Sequence, residues 1–158
     1  GLLSLFLIVF TTKKNKKKMD INIKELTIIN EMSMTVGLVM LTIGNFLGGM
    51  WANESWGRYW GWDPKETWAL ISIMLYAFVL HMRLIPGLRS RLSFNFASAF
   101  VILTIMMTYF GVNFYLSGLH SYASGDRQVT PKEGYIYIGF LLVLLALATY
   151  KYKKYYKK

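Results

Sequence analysis

Long apolar runs alternate with short charged segments along the 158 residues of this chain. Four runs approach or reach the ~20 residues that an α-helix needs to cross a bilayer core. They cover Ile28 to Met50, Trp68 to Met82, Phe94 to Leu116 and Tyr135 to Tyr150. A fifth stretch, 1–12, is too short to span and lacks the basic start of a signal peptide, so we interpret it as the end of a truncated helix. The pattern predicts an all-α fold, a polytopic integral membrane helix bundle of about four complete transmembrane helices plus a truncated N-terminal one.

Local signals indicate where two of these helices begin and end. Asp63 suits an N-cap, Pro64 suits the first helical position and Glu66 completes a capping box. The second spanning helix should therefore start at Pro64. The Gly48-Gly49 pair should loosen the end of the first spanning helix, and Pro86-Gly87 should break the chain after the second.

Cations lie at alternate ends of the predicted helices. They are Lys13, Lys14 and Lys16 to Lys18; Arg83, Arg89 and Arg91; and Lys151, Lys153, Lys154, Lys157 and Lys158. The positive-inside rule places them in the cytoplasm, so the tail at 151–158 is predicted to be basic, cytoplasmic and frayed. The loops at about 52–65 and 117–133 then face outward, across what we predict to be a bacterial inner membrane. Topology thus explains the net charge of +10, and no nucleic-acid partner is expected.

Composition removes several kinds of site. The chain has no cysteine, which excludes a disulfide, a catalytic thiolate and a Cys-x-x-Cys-His haem attachment motif within it. Its two histidines are too few for a multi-histidine metal site built from this segment alone. The sequence shows neither a hydrolytic triad nor a phosphate-cradling loop, so no catalytic residue is predicted.

All five tryptophans lie in one segment, 51–68, between two predicted spanning helices. Tryptophan has a large flat apolar face and a single N–H donor. Gly57 and Gly61 would let the backbone of this tryptophan segment fold tightly over a ligand. The segment is either a platform for a flat apolar ligand or an aromatic belt that anchors the protein in the headgroups. Composition leaves both interpretations open.

Three further side chains have alternative roles. His120 ends the third spanning run, where its imidazole either ligates a metal such as haem iron or is simply interfacial. His81 is either an intramembrane functional group or a headgroup-level side chain that caps a helix C-terminus. The two histidines lie on opposite sides of the predicted topology, so they cannot ligate the same metal ion. Arg58 pairs either with an anionic group of a ligand or with Glu54.

The segment as a whole carries a family resemblance. Its run Trp56-Gly-Arg-Tyr-Trp60-Gly-Trp62-Asp63-Pro-Lys-Glu66-Thr-Trp68 resembles the tryptophan-rich WWD signature of the haem-handling proteins of cytochrome c biogenesis. The continuation from Asp63 to Trp68 is similar to the CcsA/ResC branch, called system II. Trp51-Ala-Asn-Glu, Leu80-His81-Met-Arg83 and Gly118-Leu-His120-Ser-Tyr122 also fit. The resemblance makes 1–158 the C-terminal part of a single cytochrome c assembly transmembrane domain, with 51–68 as its outer segment.

The resemblance implies a function and a set of site residues. The protein would bind haem b as a transported substrate, export it and present it for attachment to the Cys-x-x-Cys-His motif of apocytochrome c. The implied haem-binding residues of the segment are Trp56, Trp60, Trp62, Asp63 and Trp68. His120 matches an outer axial ligand of haem iron, and His81 matches a transmembrane ligand. The partner histidines would come from a system II membrane subunit or a fused upstream region.

The same resemblance implies a component of a cytochrome c synthase, of which this fragment alone would be inactive. Two alternatives stay open. A system I haem-handling protein would load haem onto a chaperone, although the Pro-Lys-Glu-Thr-Trp continuation argues against it. A structural membrane subunit would use the tryptophans only as an anchor belt.

Overall fold

The computed structural model describes residues 1–115 and 132–156, and these ranges contain helices and turns but no strand. The helices are α1 (Leu2–Val9), α2 (Lys16–Trp56), α3 (Pro64–His81), α4 (Arg91–Met106), α5 (Val112–Tyr115) and α6 (Lys132–Tyr155). A 3₁₀ turn, Met82–Leu84, follows α3, and a π-helical turn, Met107–Gly111, joins α4 to α5.

Four helical stretches are long and apolar enough to cross a membrane. They are Lys16–Trp56, Pro64–Leu84, Arg91–Gly111 and Gly134–Tyr155. The predicted all-α polytopic membrane bundle is therefore confirmed. The chain passes back and forth between two ends of the bundle, which we call the tryptophan end (51–66 and 107–113) and the basic end (11–20, 83–92 and 151–156).

Helix α2 is longer than the apolar pattern predicts. Its 41 residues correspond to about 60 Å, roughly twice the thickness of a bilayer core. The prediction that Gly48-Gly49 loosens its end is wrong, because the helix continues to Trp56 and ends at Gly57, whose φ is 70°. A helical glycine costs only about 1 kcal/mol. Gly49 has a packing reason to be there, since a Cβ on it would lie 2.6 Å from the Tyr59 ring.

An apolar cluster closes the basic end. It contains Leu5, Ile8, Ile23, Leu92, Leu144 and Ala148, which come from α1, α2, α4 and α6. The C-terminal tail packs against this cluster and is helical to Tyr155, so the expected fraying is wrong for that part of it. Tyr156 follows, with its hydroxyl 3.1 Å from Thr11 Oγ1 and its ring stacked 5.4 Å from that of Tyr152. These tyrosine contacts thus order the tail although its sequence is low in complexity.

A polar network joins α2 to α4 towards the same end. Asn95 is fully buried, and its Nδ2 donates to Thr27 Oγ1 at 2.7 Å and to the Arg91 carbonyl at 2.8 Å. Asn30 Nδ2 donates to Ser98 Oγ at 2.7 Å. Polar side chains that bond across helices within a membrane hold the two helices in one register.

Candidate functional site

The loop 57–63 reverses the chain between α2 and α3 within seven residues. Gly57 begins it in the left-handed region and donates its N–H to the Asn53 carbonyl at 2.9 Å, which terminates α2. Near its other end, Trp62 has φ 57°, the one positive φ outside glycine in the described ranges. Such a conformation costs about 1–2 kcal/mol for an L-residue, so neighbouring contacts must hold it.

Those contacts come from Glu66 on the first turn of α3. Its Oε2 accepts hydrogen bonds from Gly61 N at 2.8 Å and from Asp63 N at 3.2 Å. The two donors flank Trp62, so one carboxylate fixes the backbone on both sides of the strained residue. The sequence predicts the capping-box bond from Asp63 N to Glu66, but it does not predict the bond from Gly61 N.

Asp63 forms the N-cap of α3, as predicted. Its side chain accepts from Lys65 N at 3.1 Å and from the Glu66 backbone, and Pro64 opens the helix. The residue is 6% exposed. In this structure the Asp63 carboxylate caps α3. A contact between Asp63 and a ligand stays a prediction.

The five tryptophans form two edge-to-face pairs and a separate residue rather than one continuous sheet of rings. Trp51 and Trp56, both on α2, have ring centroids 5.0 Å apart, and Trp60 and Trp62 on the loop have centroids 5.9 Å apart. Trp62 is 71% exposed. Trp68 is half-buried on the second turn of α3. The segment 51–68 is thus divided between a helix end, a loop and a helix start.

A groove of about 550 Å³ lies under the loop, between α2, α3 and the π-helical turn. Its lining is Met40, Leu41, Gly44, Asn45, Gly48, Gly49, Trp51, Tyr59, Trp60, Lys65, Glu66, Ala69 and Thr108. Gly44 and Gly48 stand one helical turn apart, so the α2 side of the groove is open and flat. The combination of apolar walls with a few polar groups is typical of small-molecule sites.

The groove includes one of the sequence-predicted site residues, Trp60, and leaves out Trp56, Trp62, Asp63 and Trp68. Sequence reasoning missed Lys65, Tyr59 and Thr108 as lining residues. Lys65 and Tyr59 stood inside the recognised segment, but nothing in the sequence showed which way they pointed. Thr108 had no signal, because it reaches the groove through the π-helical turn.

Arg58 does not reach the groove. Its guanidinium packs against Gly61, where any Cβ would collide with it, and it forms no ion pair with Glu54. Of the two alternatives for Arg58, the pairing with Glu54 is therefore not found in this structure. Glu54 lies in α2, whereas Arg58 follows the helix end at Gly57. The α-helical spacing that would bring the two side chains together therefore does not extend to Arg58.

Lys65 is the cation of the groove. Its Nζ donates to Asn113 Oδ1 at 3.2 Å, on the α5 turn that follows the π-helical turn. Nearby, Thr108 Oγ1 lies 3.4 Å from Ser72 Oγ of α3. These contacts tie α3 to the end of α4, at an edge of the groove where polar residues meet its mainly apolar wall.

His81 lies at the far end of α3, away from the groove. Its Nδ1 is 2.7 Å from the Ala77 carbonyl, which can only accept, so Nδ1 carries the proton. The ring is exposed. Two residues on, Arg83 pairs with Glu31 of α2 at 2.7 Å. His120 lies outside the described residues, as does most of the segment 117–133 that the sequence predicts to be an outer loop.

The chain matches the family model described as cytochrome C assembly protein over residues 1–120. It is 56% identical over 124 residues to protein NrfI of Wolinella succinogenes, a match that covers 78% of this chain and 14% of that protein. It is 48% identical over 99 residues to the cytochrome c biogenesis protein CcsA of Prochlorococcus marinus strain AS9601, covering 63% of this chain and 32% of the relative. The CcsA protein of Chlamydomonas reinhardtii is 44% identical over 119 residues, 75% of this chain and 33% of that protein.

The chain therefore belongs to the cytochrome c assembly protein family, and it is a multi-pass membrane protein. It corresponds to between 14% and 33% of the length of these three relatives.

Proposed function

We propose that this member of the cytochrome c assembly family binds haem b in the groove under its tryptophan segment and presents it to apocytochrome c. The observation that carries the proposal is the groove itself. It opens beside the loop 57–63, it has Trp51 and Trp60 in its wall, and Glu66 holds the loop above it. A flat apolar macrocycle is the ligand that such a wall accommodates best.

The size and chemistry of the groove agree with that ligand. Small-molecule sites typically enclose about 300–1,000 Å³, and this groove has about 550 Å³. Apolar side chains supply most of its wall, and Lys65 supplies a cation for the anionic propionates. Haem is the substrate of the protein rather than a resident cofactor. The chemistry of attachment belongs to haem and to the thiols of the apocytochrome, so this chain needs to position haem and exclude competing reactions.

His81 is proposed as an axial ligand at a second position, near the opposite end of α3. In the neutral ring, the hydrogen bond from Nδ1 to the Ala77 carbonyl would select the tautomer whose Nε2 can ligate iron. His120 is proposed as the axial ligand on the tryptophan side. Each would pair with a histidine supplied by a system II partner subunit or by a fused upstream region.

We propose that the tryptophan segment and His120 face the outer, periplasmic side of a bacterial inner membrane. The support is the cation distribution, because Lys16, Arg91 and Lys154 all lie at the opposite end of the bundle. The chain has no cysteine, so single cysteines at Ser55 and Thr12 report on one side each. An impermeant thiol reagent should label Ser55→Cys from outside and Thr12→Cys only after permeabilisation. The reverse pattern would overturn the orientation.

The competing anchor-belt function has one observation in its favour, the 71% exposure of Trp62. That residue can contact headgroups while Trp60 contacts the ligand. The Pro-Lys-Glu-Thr-Trp run supports system II over a haem-chaperone loading role. We propose the apocytochrome Cys-x-x-Cys-His motif as the partner at the mouth of the groove.

The experiment is an absorption spectrum of the purified full-length protein, with haem quantified per polypeptide. We expect co-purified haem in the wild type and a several-fold lower haem content in Trp60→Ala. Phe78→Ala is the matched control, because Phe78 is an exposed aromatic residue of α3 outside the groove. Normal haem content in Trp60→Ala would remove the groove as the site. Equal loss in Phe78→Ala would indicate a general loss of aromatic surface instead.

A second pair of variants separates the two proposed iron positions. His81→Ala should lower haem at both positions if the outer one is filled from the inner one. His120→Ala should leave haem at the inner position, with a changed spectrum. Identical haem loss and identical residual spectra in the two variants would mean a single position, and transport between two sites would be excluded.

A further inference from the structure

We propose that a separate pocket, at the basic end of the bundle, binds the phosphate group of an anionic phospholipid. The pocket has a volume of about 270 Å³ and lies between α1, α2, the start of α4 and the end of α6. The polar residues of its lining are Asp20, Arg89, Ser90, Arg91, Tyr152 and Tyr156. The groove of the proposed function lies at the tryptophan end, so this site does not depend on it.

Two guanidinium groups in the lining are the first support. Arginine presents its N–H donors in a planar fork that matches the oxygen atoms of a phosphate. Arg89 is exposed, and its side chain has no ion-pair or hydrogen-bond partner among the described residues. Its donors therefore face no competing acceptor from residues 1–115 and 132–156.

Arg91 supplies the second guanidinium, and an ion pair already orients it. Its Nη1 donates to Asp20 Oδ1 at 2.6 Å, which leaves other donors of the five in the fork for a ligand. Lys16 adds positive charge beside the pocket, since its Nζ lies 5.8 Å from the centre of the Tyr156 ring. These cations outnumber the single carboxylate of the lining, so the pocket favours an anionic headgroup over a zwitterionic one.

The depth of the pocket in the membrane is the second support. Asp20, Arg91 and Tyr152 lie near the ends of three stretches that are long and apolar enough to cross a membrane, Lys16–Trp56, Arg91–Gly111 and Gly134–Tyr155. The pocket is therefore at the level of the lipid headgroups. Basic pockets between transmembrane helices at this level bind anionic headgroups.

The remaining lining is that of an interfacial site. Tyr152 and Tyr156 stack with ring centroids 5.4 Å apart, and tyrosine is enriched where the membrane meets water. Ile8 and Ile23 form the apolar part of the lining and belong to the buried cluster below. A ligand with a polar head and an apolar body fits this combination better than a free ion does.

The size of the pocket indicates which part of the lipid it holds. Its volume of about 270 Å³ is just below the ~300–1,000 Å³ typical of small-molecule sites, and it is smaller than the groove. The pocket therefore suits a headgroup, and the acyl chains would lie outside it. Leu3 on α1 and Leu147 on α6 are exposed farther from the basic end, and they offer these chains an apolar surface.

The test is native mass spectrometry of the delipidated full-length protein, titrated with phosphatidylglycerol, with phosphatidylethanolamine and with glycerol 1-phosphate. Phosphatidylglycerol should bind most tightly of the three. Arg89→Gln should weaken its binding by about tenfold or more, the range expected for a hydrogen bond to a charged group. Arg89→Lys should lose part of the affinity, because it keeps the charge but not the fork. Lys18→Gln is the matched control, since Lys18 is an exposed cation of the same end outside the pocket.

Asp20→Asn should have the opposite effect. It removes the negative charge of the lining and keeps an acceptor oxygen for Arg91, so phosphatidylglycerol should bind several-fold more tightly. A folding defect would not tighten binding, so this variant decides the matter if Arg89→Gln is unstable.

Four outcomes would overturn the proposal. Equal losses in Arg89→Gln and Lys18→Gln would mean that the overall charge attracts the lipid. Unchanged affinity in both Arg89→Gln and Asp20→Asn would remove the pocket as the site. Equal binding of phosphatidylethanolamine would remove the preference for an anionic headgroup. Equally tight binding of glycerol 1-phosphate would make the ligand a soluble phosphate ester rather than a lipid.

Discussion

The two ends of the bundle are held by different kinds of contact. At the tryptophan end, the bonds that shape the loop stay on neighbouring parts of the chain. Those of Glu66 and Asp63 reach no more than five residues away, and the Tyr59 hydroxyl donates to the Phe46 carbonyl, 13 residues away. At the basic end, the bonds connect distant parts of the chain. Asp20 pairs with Arg91, 71 residues away, and Thr11 bonds Tyr156, 145 residues away.

The contacts that shape the tryptophan loop are therefore different from those that pack the helices against one another. The bonds that shape the loop 57–63 come from residues 46–66. The outer surface of the loop and the groove below it are therefore left open. The basic end has apolar side chains buried in a cluster that joins α1, α2, α4 and α6, and a second buried cluster, which includes Met34, Val79 and Phe94, joins α2, α3 and α4. A change at one end should therefore be measurable without a change at the other. All five tryptophans lie within 51–68, so intrinsic fluorescence reports on the tryptophan end, whereas circular dichroism reports on the whole bundle.

The largest effect is expected from Glu66→Ala. The substitution removes the acceptor of two backbone N–H groups, which destabilises the loop by roughly 3 kcal/mol. Tryptophan fluorescence should shift towards that of exposed rings, and co-purified haem should fall, while the helical dichroism stays the same. Glu66→Gln retains an acceptor oxygen and should give a smaller change. A Glu66→Ala protein with wild-type fluorescence and haem content would show that the loop does not depend on local bonds.

The corresponding change towards the basic end is Asn95→Leu. It removes the bonds to Thr27 and to the Arg91 carbonyl from a fully buried position. Bonds between helices in membranes contribute about 1–2 kcal/mol at most, so we expect a modest fall in the thermal midpoint of the dichroism signal in detergent. Fluorescence below that midpoint should not change. Thr104→Val is the control, since the Thr104 hydroxyl bonds the Val101 carbonyl of its own helix. An early fluorescence change in Asn95→Leu would show that the two ends are coupled.

A smaller effect is expected from Gly57→Ala. Gly57 has φ 70° and no atom within 4 Å of the Cβ that alanine would add. The cost is therefore the left-handed backbone alone, about 1–2 kcal/mol. Limited proteolysis of the loop 57–63 should become faster, with no change in dichroism. Gly37→Ala is the control, because Gly37 is helical and equally open. Equal proteolysis of both variants would show that the turn conformation at Gly57 is not needed.

The same contrast explains what the sequence could predict. The N-cap at Asp63, the helix start at Pro64 and the break near Pro86 depend on a few neighbouring residues, so their sequence signals were sufficient. The end of α2 was misplaced because the cost of Gly48-Gly49 is small beside the contacts of a 41-residue helix. The helical tail was missed because Tyr156 finds its partner, Thr11, at the other end of the chain.

The site shows a similar division. The tryptophan segment was evident from the sequence, and so was its resemblance to a haem-handling signature. Which of its side chains face the groove was not evident, because the positive φ of Trp62 turns that residue outward while Trp60 lines the groove. The π-helical turn has no sequence signal that we recognise, and it sets the positions of Thr108 and Asn113. Orientation and packing, rather than residue type, determine these parts of the site.

The smallest effect is expected from Trp62→Ala, compared with Trp60→Ala. Trp62 is 71% exposed, and exposed substitutions typically change stability by within about 0.5 kcal/mol. The residue does not line the groove, so haem content should fall much less in Trp62→Ala than in Trp60→Ala. Haem quantification in the two full-length variants measures the ratio. Equal haem loss would mean that bound haem extends over the outer face of the loop, and the ligand platform would then include Trp62, as the family resemblance implies. A large difference would confine the ligand to the groove and leave Trp62 as an interfacial side chain.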